Sequence, residues 1–458
     1  MDEPLSLRLL HRVVRVETAE VAAMLWSFGY FFCLLCSYYI LRPVRDEMGI
    51  QGGPENLQWV FTGTFLTMLA AVPLFGWLSA RCPRRVLLPV VYLFFTANLL
   101  AFFVLLETGA APRLTAQAFF VWVSVFNLFV VSVFWSFMAD LFRNEQARRL
   151  YGFISAGGST GALVGPVLVT TVAPDFGPTA LLPVSACFLL GALICIRRLG
   201  AWARGGVNEK RESAAGSALG GGVLAGIGLL LRSEYLLGIA LYVVLFTVLS
   251  TFLYFQQAYI VSGTISDPGS RTALFATLDL VVNVLTLLCQ IFVVGRLVGR
   301  FGVTVALVLL PVAAIVGFFF LGLFPTLAVL IVFGVVRRAG EYAITKPARE
   351  ILFTVVSREE KYKAKNVIDT VVYRAGDAVS GWLFEGLRIL GISFAGVSFV
   401  AVPIAALWAT TGYLLGRRQE QLRAALMAKR RIPVYEPSSP AESPLGAALD
   451  GAAQPHPR

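Results

Sequence analysis

A run of about twenty apolar residues with almost no charge satisfies its backbone in a bilayer only as a helix. This chain repeats such runs from one end to the other. The first covers about Val21 to Leu41, and five more lie at about 57–80, 86–107, 115–140, 152–173 and 179–197. A polar stretch, 198–234, separates them from six others at about 235–262, 271–295, 303–323, 327–353, 367–388 and 393–416. With 57% hydrophobic and 14% charged residues over 458 positions, the chain has too little polar surface for a soluble protein. The first run is too long for a signal-peptide core and lacks a small-residue cleavage site, so it reads as a span. The fold class expected is an all-α polytopic membrane protein with twelve transmembrane helices.

Lysine and arginine alternate between the two sides. One side collects Arg8, Arg12 and Arg15, then Arg81, Arg84 and Arg85, then Arg143, Arg148 and Arg149, the basic central stretch, Arg296 and Arg300, Arg358, Lys361, Lys363 and Lys365, and the cluster from Arg417 to Arg431. The other side has little beyond Arg42, Arg45, Arg113, Arg271 and Arg388. The positive-inside rule therefore places both termini and the central stretch in the cytoplasm. The formal net charge of +11 follows from this topology, and a nucleic-acid partner is not expected.

An internal repeat organises the helices. Arg81 and Arg296 are 215 positions apart, as are Arg85 and Arg300, Tyr39 and Tyr254, and Gly161 and Gly376. The loop Arg143-Asn-Glu-Gln-Ala-Arg meets Arg358-Glu-Glu-Lys-Tyr-Lys at the same offset. Six spans is an even number, so the halves run parallel, related by an axis along the membrane normal. That is similar to the arrangement of major facilitator transporters, two six-helix bundles with substrate held between them. The expected organisation is an N-terminal segment 1–20, one bundle at 21–197, a cytoplasmic linker at 198–234, a second bundle at 235–416, and a cytoplasmic tail at 417–458, disordered from about 432. The loops holding Arg81, Arg85, Arg296 and Arg300 resemble the basic loops that major facilitators carry between helices 2–3 and 8–9, which implies a latch on the cytoplasmic side.

The stretch from Arg337 to Arg388 holds most of the charges that cannot sit at a helix end. A helix starting near Leu327 places Arg337 and Arg338 about 15 Å deep, near mid-bilayer. An ion there costs about 2.5–3.5 kcal/mol on insertion scales, so it faces the protein interior and marks function. Either arginine reaches Glu341 on one helical face, and Arg338, Glu341, Thr345 and Arg349 fall on one stripe, close to Lys346. Asp369, Tyr373, Asp377 and Ser380 form a second stripe with Arg374 beside it, and Asp279 and Asn283 lie four apart in the eighth span. The network expected sets Arg337, Arg338 and Arg374 against Glu341, Asp279 and Asp377. As a structural device it is neutral in itself. As a site, its arginines bind an anion and its carboxylates compete or carry protons. At the end of the first span, Arg42-Pro-Val-Arg45-Asp46-Glu47 reads either as a solvated helix end or as a basic rim on a central cavity. Gly157, Gly161 and Gly165 form a small-residue stripe suited to close helix packing.

Other chemistries are excluded. The only histidines, His11 and His456, sit in terminal segments, so neither a His-based metal site nor a catalytic triad is expected. No G-x-x-x-x-G-K-[ST] occurs, and Cys33-x-x-Cys36 lies inside an apolar helix without a thioredoxin-like pattern. No cofactor and no enzyme activity are expected.

With these residues in view, the chain resembles the ATP/ADP antiporter family, the nucleotide transporters of plastids and intracellular bacteria and their free-living relatives. Tyr39-Ile-Leu-Arg42-Pro-Val-Arg45-Asp46 is similar to the family's Y-x-x-L-R-x-x-K-D, with Arg45 where the family has a functionally important lysine. Phe134-Trp135-Ser136-Phe137 resembles its F-W-x-F segment, and the region from Lys346 to Gly376, with K-P-A-R-E and I-D-x-V, is the most specific match. The resemblance implies exchange of nucleotides. The chain departs from the family pattern in helix 4, which reads Val123 to Asn127 without an acid, and in helix 7, which offers Thr251, Gln256 and Gln257. In helix 11, Gly376-Asp377 stands where the exchangers have glycine and lysine.

The expected function is secondary transport by alternating access in a bacterial inner membrane, by a monomer surrounded by lipid. Its substrate is a nucleotide or related organic anion, bound by Arg45, Arg338, Glu341, Lys346, Arg349, Arg374 and Asp377. Asp279, Asp369, Arg81, Arg85, Arg296 and Arg300 are expected in coupling or gating. The alternatives are proton-coupled transport of an unrelated solute through Glu341 and Asp377, and a non-transporting receptor or scaffold.

Overall fold

The computed structural model of the protein describes residues 16–82, 84–205 and 223–431. The expectations for Arg8, Arg12 and Arg15, for the middle of the central linker, and for disorder from 432 fall outside the described residues.

Among those residues the chain is helical throughout. In order, α1 is Thr18–Gln51, α2 Leu57–Arg81, α3 Arg84–Glu107, α4 Pro112–Leu141, α5 Asn144–Phe176 and α6 Leu181–Gly205. The short α7 is Val223–Arg232, followed by α8 Glu234–Thr264, α9 Pro268–Cys289 and α10 Gly295–Leu323. Then come α11 Leu327–Gly340, α12 Lys346–Leu352, α13 Arg358–Val367, α14 Tyr373–Ile389 and α15 Phe394–Arg431. Three π-helical turns, Gln290–Val294, Glu341–Thr345 and Ile368–Val372, join α9 to α10, α11 to α12 and α13 to α14. The expected linker is partly helical: α6 runs on to Gly205, and α7 falls inside it.

Local chemistry sets the helix starts. Asp267 caps α9 by accepting from the Ser270 amide at 2.7 Å, with Pro268 in the first turn. Those bonds from Ser270 hold the Asp267 carboxyl, in the link before α9, below its usual range. Ser357 and Glu360 close a capping box on α13.

Among the described residues, nine stretches are long and apolar enough to cross a membrane. The longest, Pro268–Leu323, has 56 residues, about 84 Å of helix and far beyond a ~30 Å core. It breaks at Gly302, whose φ of 78° is left-handed and where a Cβ would lie 2.9 Å from Glu420 Oε1. The helical stretches 327–352 and 358–389 are also long, but Arg337, Arg338, Glu341, Arg374 and Asp377 interrupt their apolar sequence.

Two hydrophobic cores divide the described residues. One is built by residues from Val16 to Leu199 with Ala276, the other by Leu230 to Leu415 with Ile50 and Leu57. In the first, α1 packs most extensively on α5. The glycine stripe makes this possible: a Cβ on Gly157 would run into the Phe28 carbonyl, and one on Gly165 would lie 2.9 Å from the Cys36 carbonyl. The halves meet where α9 crosses α5 and α1, where α14 lies along α2, and where α8 touches α1.

Candidate functional site

The face where α1 ends and α2, α9 and α14 approach is closed by contacts between the halves. Arg271 donates to both Glu47 carboxylate oxygens, at 2.8 and 2.6 Å, and Glu47 is fully buried. The Trp59 and Trp382 rings meet edge to face at 4.6 Å, and Trp382 Nε1 donates to Thr62 Oγ1 at 3.0 Å. A Cβ on Gly269 would strike the Ala173 carbonyl, so α5 and α9 approach there at backbone distance.

Beneath this closure lies a chamber of about 180 Å³. Arg42, Arg45, Arg337, Arg338 and Arg374 line it against Asp46, Glu341 and Asp377. Five guanidiniums face three carboxylates, so the chamber wall is net positive. Arg45 is fixed by Asp46, donating at 3.1 and 2.7 Å, while its guanidinium lies 5.0 Å from the centre of the Phe120 ring. Asp46 also accepts from the Tyr254 hydroxyl at 3.0 Å, across the divide between the halves. Phe61, Phe120 and Tyr254 give the same chamber an aromatic wall.

The chamber continues into a vestibule of about 560 Å³, sharing Arg42, Glu341, Tyr342, Tyr373 and Arg374. It widens toward the face where α2 ends and where residues 353–357 link α12 to α13, and Lys346, Arg349, Glu350 and Asp369 line it. Lys346 is exposed and makes no ion pair or hydrogen bond among the described residues, so it presents a free cation to the vestibule. Tyr38, Tyr39, Phe65 and Asn127 complete the opposite wall.

The charged network of the sequence resolves into pairs. Arg337 takes Glu341 at 3.5 Å, Arg338 takes Asp279, and Arg374 takes Asp377 at 3.5 Å. Arg349 pairs with Asp369 at 3.4 Å at the vestibule rim. The straight stripe from Arg338 to Arg349 does not survive: the π turn Glu341–Thr345 inserts a residue into the register, and Thr345 is buried away from both cavities. Ser380 likewise turns inward and donates to the Gly376 carbonyl. Arg81 stacks on Trp77 at 4.5 Å, Arg296 donates to the Phe292 carbonyl, and Arg300 lies 5.7 Å from the Phe301 ring centre. None of these three makes an ion pair among the described residues, and the Arg85 side chain lies outside them.

In sequence alone Arg42 reads equally as a cavity rim or a helix end. It lines both cavities, donates to the Tyr342 hydroxyl at 3.4 Å, and sits 3.6 Å from Asp279. Tyr254, placed in sequence only as the repeat partner of Tyr39, and Tyr342 are half-buried and line the chamber, a role that an isolated tyrosine does not signal in sequence. Among the described residues no three His, Cys, Asp or Glu side chains gather as metal ligands.

Comparison with known proteins agrees with this architecture. Residues 26–345 match the model of the Major Facilitator Superfamily. The ADP,ATP carrier protein 1 of Chlamydia muridarum is 22% identical, covering 95% of this chain and 96% of its own length. The ADP,ATP carrier protein 1 of Chlamydia trachomatis is 21% identical over 88% of this chain and 89% of its own. Among solved structures, a bacterial homologue of the iron transporter ferroportin in an inward-facing state aligns with a TM-score of 0.61 at 13% identity, covering 88% of this chain and all of that one. The nucleoside transporter NupG aligns at 0.57 and 12% identity, covering 91% of this chain and all of that one.

Proposed function

The chain belongs to the Major Facilitator Superfamily, and from that membership we propose that it exchanges nucleotides or closely related organic anions across a membrane by alternating access. The observation that carries this reading is the chamber charge, five arginines against three carboxylates. A cationic substrate would meet net repulsion there, whereas phosphoryl oxygens match the fork of a guanidinium. The relatedness to ADP,ATP carriers supports a nucleotide in particular.

In this reading the stretches 327–352 and 358–389 also cross the bilayer, giving twelve helices in two six-helix bundles, 21–197 and 235–416, joined by the linker 198–234. Both termini lie in the cytoplasm of a bacterial cell whose inner membrane holds the protein. The vestibule then opens inward, and the closed face with Glu47 and Arg271 looks outward. Lys346 and Arg349 meet the anion in the vestibule, and Arg374, Arg338 and Arg45 hold it deeper. Glu341 and Asp377 act as counter-charges. Chamber and vestibule together offer about 740 Å³, within the range of small-molecule sites.

The test is counterflow in liposomes, with ADP inside and labelled ATP outside. Accumulation that requires internal ADP and disappears in Arg338→Gln supports exchange. A monodisperse, helical protein that accumulates nothing rejects adenine nucleotides as substrate. Glu341 and Asp377 in the chamber wall favour one second reading, proton-coupled movement of another solute, for which a pH gradient alone would drive uptake.

A further inference from the structure

We propose that Asp279 enforces exchange by holding the empty carrier still, and that a substrate anion releases it by replacing Asp279 at Arg42. This rests on the exchange reading above. Asp279 is buried behind the chamber wall, 1% exposed, between two arginines from opposite halves. Arg338, on α11, belongs to the same half as Asp279 on α9 and hydrogen-bonds it directly. Arg42, on α1, belongs to the other half and approaches only to 3.6 Å. Arg42 Nε and Asp279 Oδ2 are both buried and have no hydrogen-bond partner among the described residues. The pair across the divide is therefore electrostatic without being hydrogen-bonded, and both atoms retain capacity for a better partner.

The asymmetry matters when the halves rock. Asp279 carries Arg338 with it and stays neutralised. Arg42, 13% exposed, leaves its carboxylate behind and becomes a largely buried cation without an anionic partner, which is unfavourable. A phosphoryl or carboxylate oxygen entering the chamber reaches Arg42 from the open side, since Arg42 lines it and Asp279 does not. Arg42 then keeps an anionic partner throughout the movement. The loaded carrier turns over and the empty one does not, which is the defining property of an exchanger. The Glu47–Arg271 pair also joins the halves, but it stands at the closed face outside both cavities, so it opposes loaded and empty carrier alike. Tyr39 with Asn283, and Asn283 with the Ala162 carbonyl, bridge the same divide through neutral groups.

The experiment uses proteoliposomes loaded with labelled ATP. Efflux is measured into nucleotide-free medium and into medium with ADP, for the native chain, Asp279→Asn and Asp279→Glu. The native chain and Asp279→Glu should show efflux at least tenfold faster with external ADP. In Asp279→Asn this ratio should fall to about one, with efflux into empty medium rising, because nothing is lost when the unloaded halves move. An Asp279→Asn protein that exchanges and keeps its tenfold requirement overturns the proposal. A second readout needs no transport. With the six native cysteines replaced by alanine, Thr62→Cys at the closed face is challenged with a membrane-impermeant thiol reagent. Without nucleotide, labelling should be several-fold faster in Asp279→Asn than with Asp279 intact, and equal labelling rejects the lock. If the native chain exchanges no nucleotide, the exchange reading fails, while the labelling rates still decide whether Asp279 restrains the empty carrier.

Discussion

Glu47 and Arg271 form a two-pronged ion pair with bonds of 2.6 and 2.8 Å, and it ties the end of α1 to the start of α9. Removing one partner of a buried pair leaves the other uncompensated, at about 3–5 kcal/mol. Glu47→Gln or Arg271→Gln should therefore shift the ligand-free protein toward the conformation open at this face by more than about a hundredfold. Thiol labelling from that face, at Thr62→Cys, reads the shift. The exchanged pair, Glu47→Arg with Arg271→Glu, should return labelling most of the way to the native rate. Two singles and a double that label alike would show that the pair does not hold this face shut.

The same face can be closed covalently. A Cβ built on Gly381 lies 3.5 Å from the Cβ of Gln58, within the span that a disulfide bridges, and the two belong to α14 and α2. Gln58→Cys with Gly381→Cys should crosslink under mild oxidant and stop counterflow, and reductant should restore it. Phe255, 3.2 Å from the new Cβ, has to move by a few tenths of an ångström. A crosslinked protein that still transports at the native rate would exclude separation of α2 from α14 during the cycle.

What was legible in the sequence followed from periodicity and from the cost of charge in a bilayer. Both work at the scale of whole helices. The repeat offset reappears in packing detail: Gly161 faces the Phe32 carbonyl and Gly376 faces Thr247, and both the glycines and their partners are 215 positions apart. Arg337 meets Glu341 and Arg374 meets Asp377 because helical spacing brings each pair within reach, whereas Arg338 meets Asp279 across two helices, a pairing no spacing within one helix specifies. Two features escaped. Hydropathy ended the first helix at Leu41, where charges begin, but α1 runs to Gln51 because those charges face a cavity and a buried ion pair rather than lipid. Arg42 is thus an interior residue of a helix that lines both cavities, not a solvated helix end. The π turns at Glu341–Thr345 and Ile368–Val372 were invisible because a 3.6-residue period assumes uniform geometry.

Close packing of α1 on α5 sets a stability prediction. Gly161→Leu forces a side chain into the Phe32 carbonyl and the Cys36 amide, and overpacking of this kind costs about 1–3 kcal/mol or more. The melting temperature in detergent should fall by several degrees. Gly152→Leu on the same helix, where a Cβ meets nothing within 4 Å, should leave it unchanged. Equal effects at the two positions would mean that the glycine stripe is not what brings the helices together.

Asp377 separates anion exchange from proton coupling. It lines the chamber and occupies Arg374 at 3.5 Å, so it competes with any anion for that guanidinium. Asp377→Asn removes the competitor and leaves Arg374 free, raising the positive charge of the wall by one. In a chamber open to water, the freed guanidinium is worth on the order of 1 kcal/mol, about fivefold in affinity. ATP binding to the detergent-solubilised variant should tighten by that factor, and the salt dependence of binding should steepen, because one more fixed charge attracts the ligand. If Asp377 instead carries a proton for an unrelated solute, the same substitution abolishes accumulation driven by a pH gradient and leaves nucleotide affinity where it was. Titrating ATP against both proteins by calorimetry at two ionic strengths tells the two roles apart, since only the first predicts a variant that binds the anion better than the native chain.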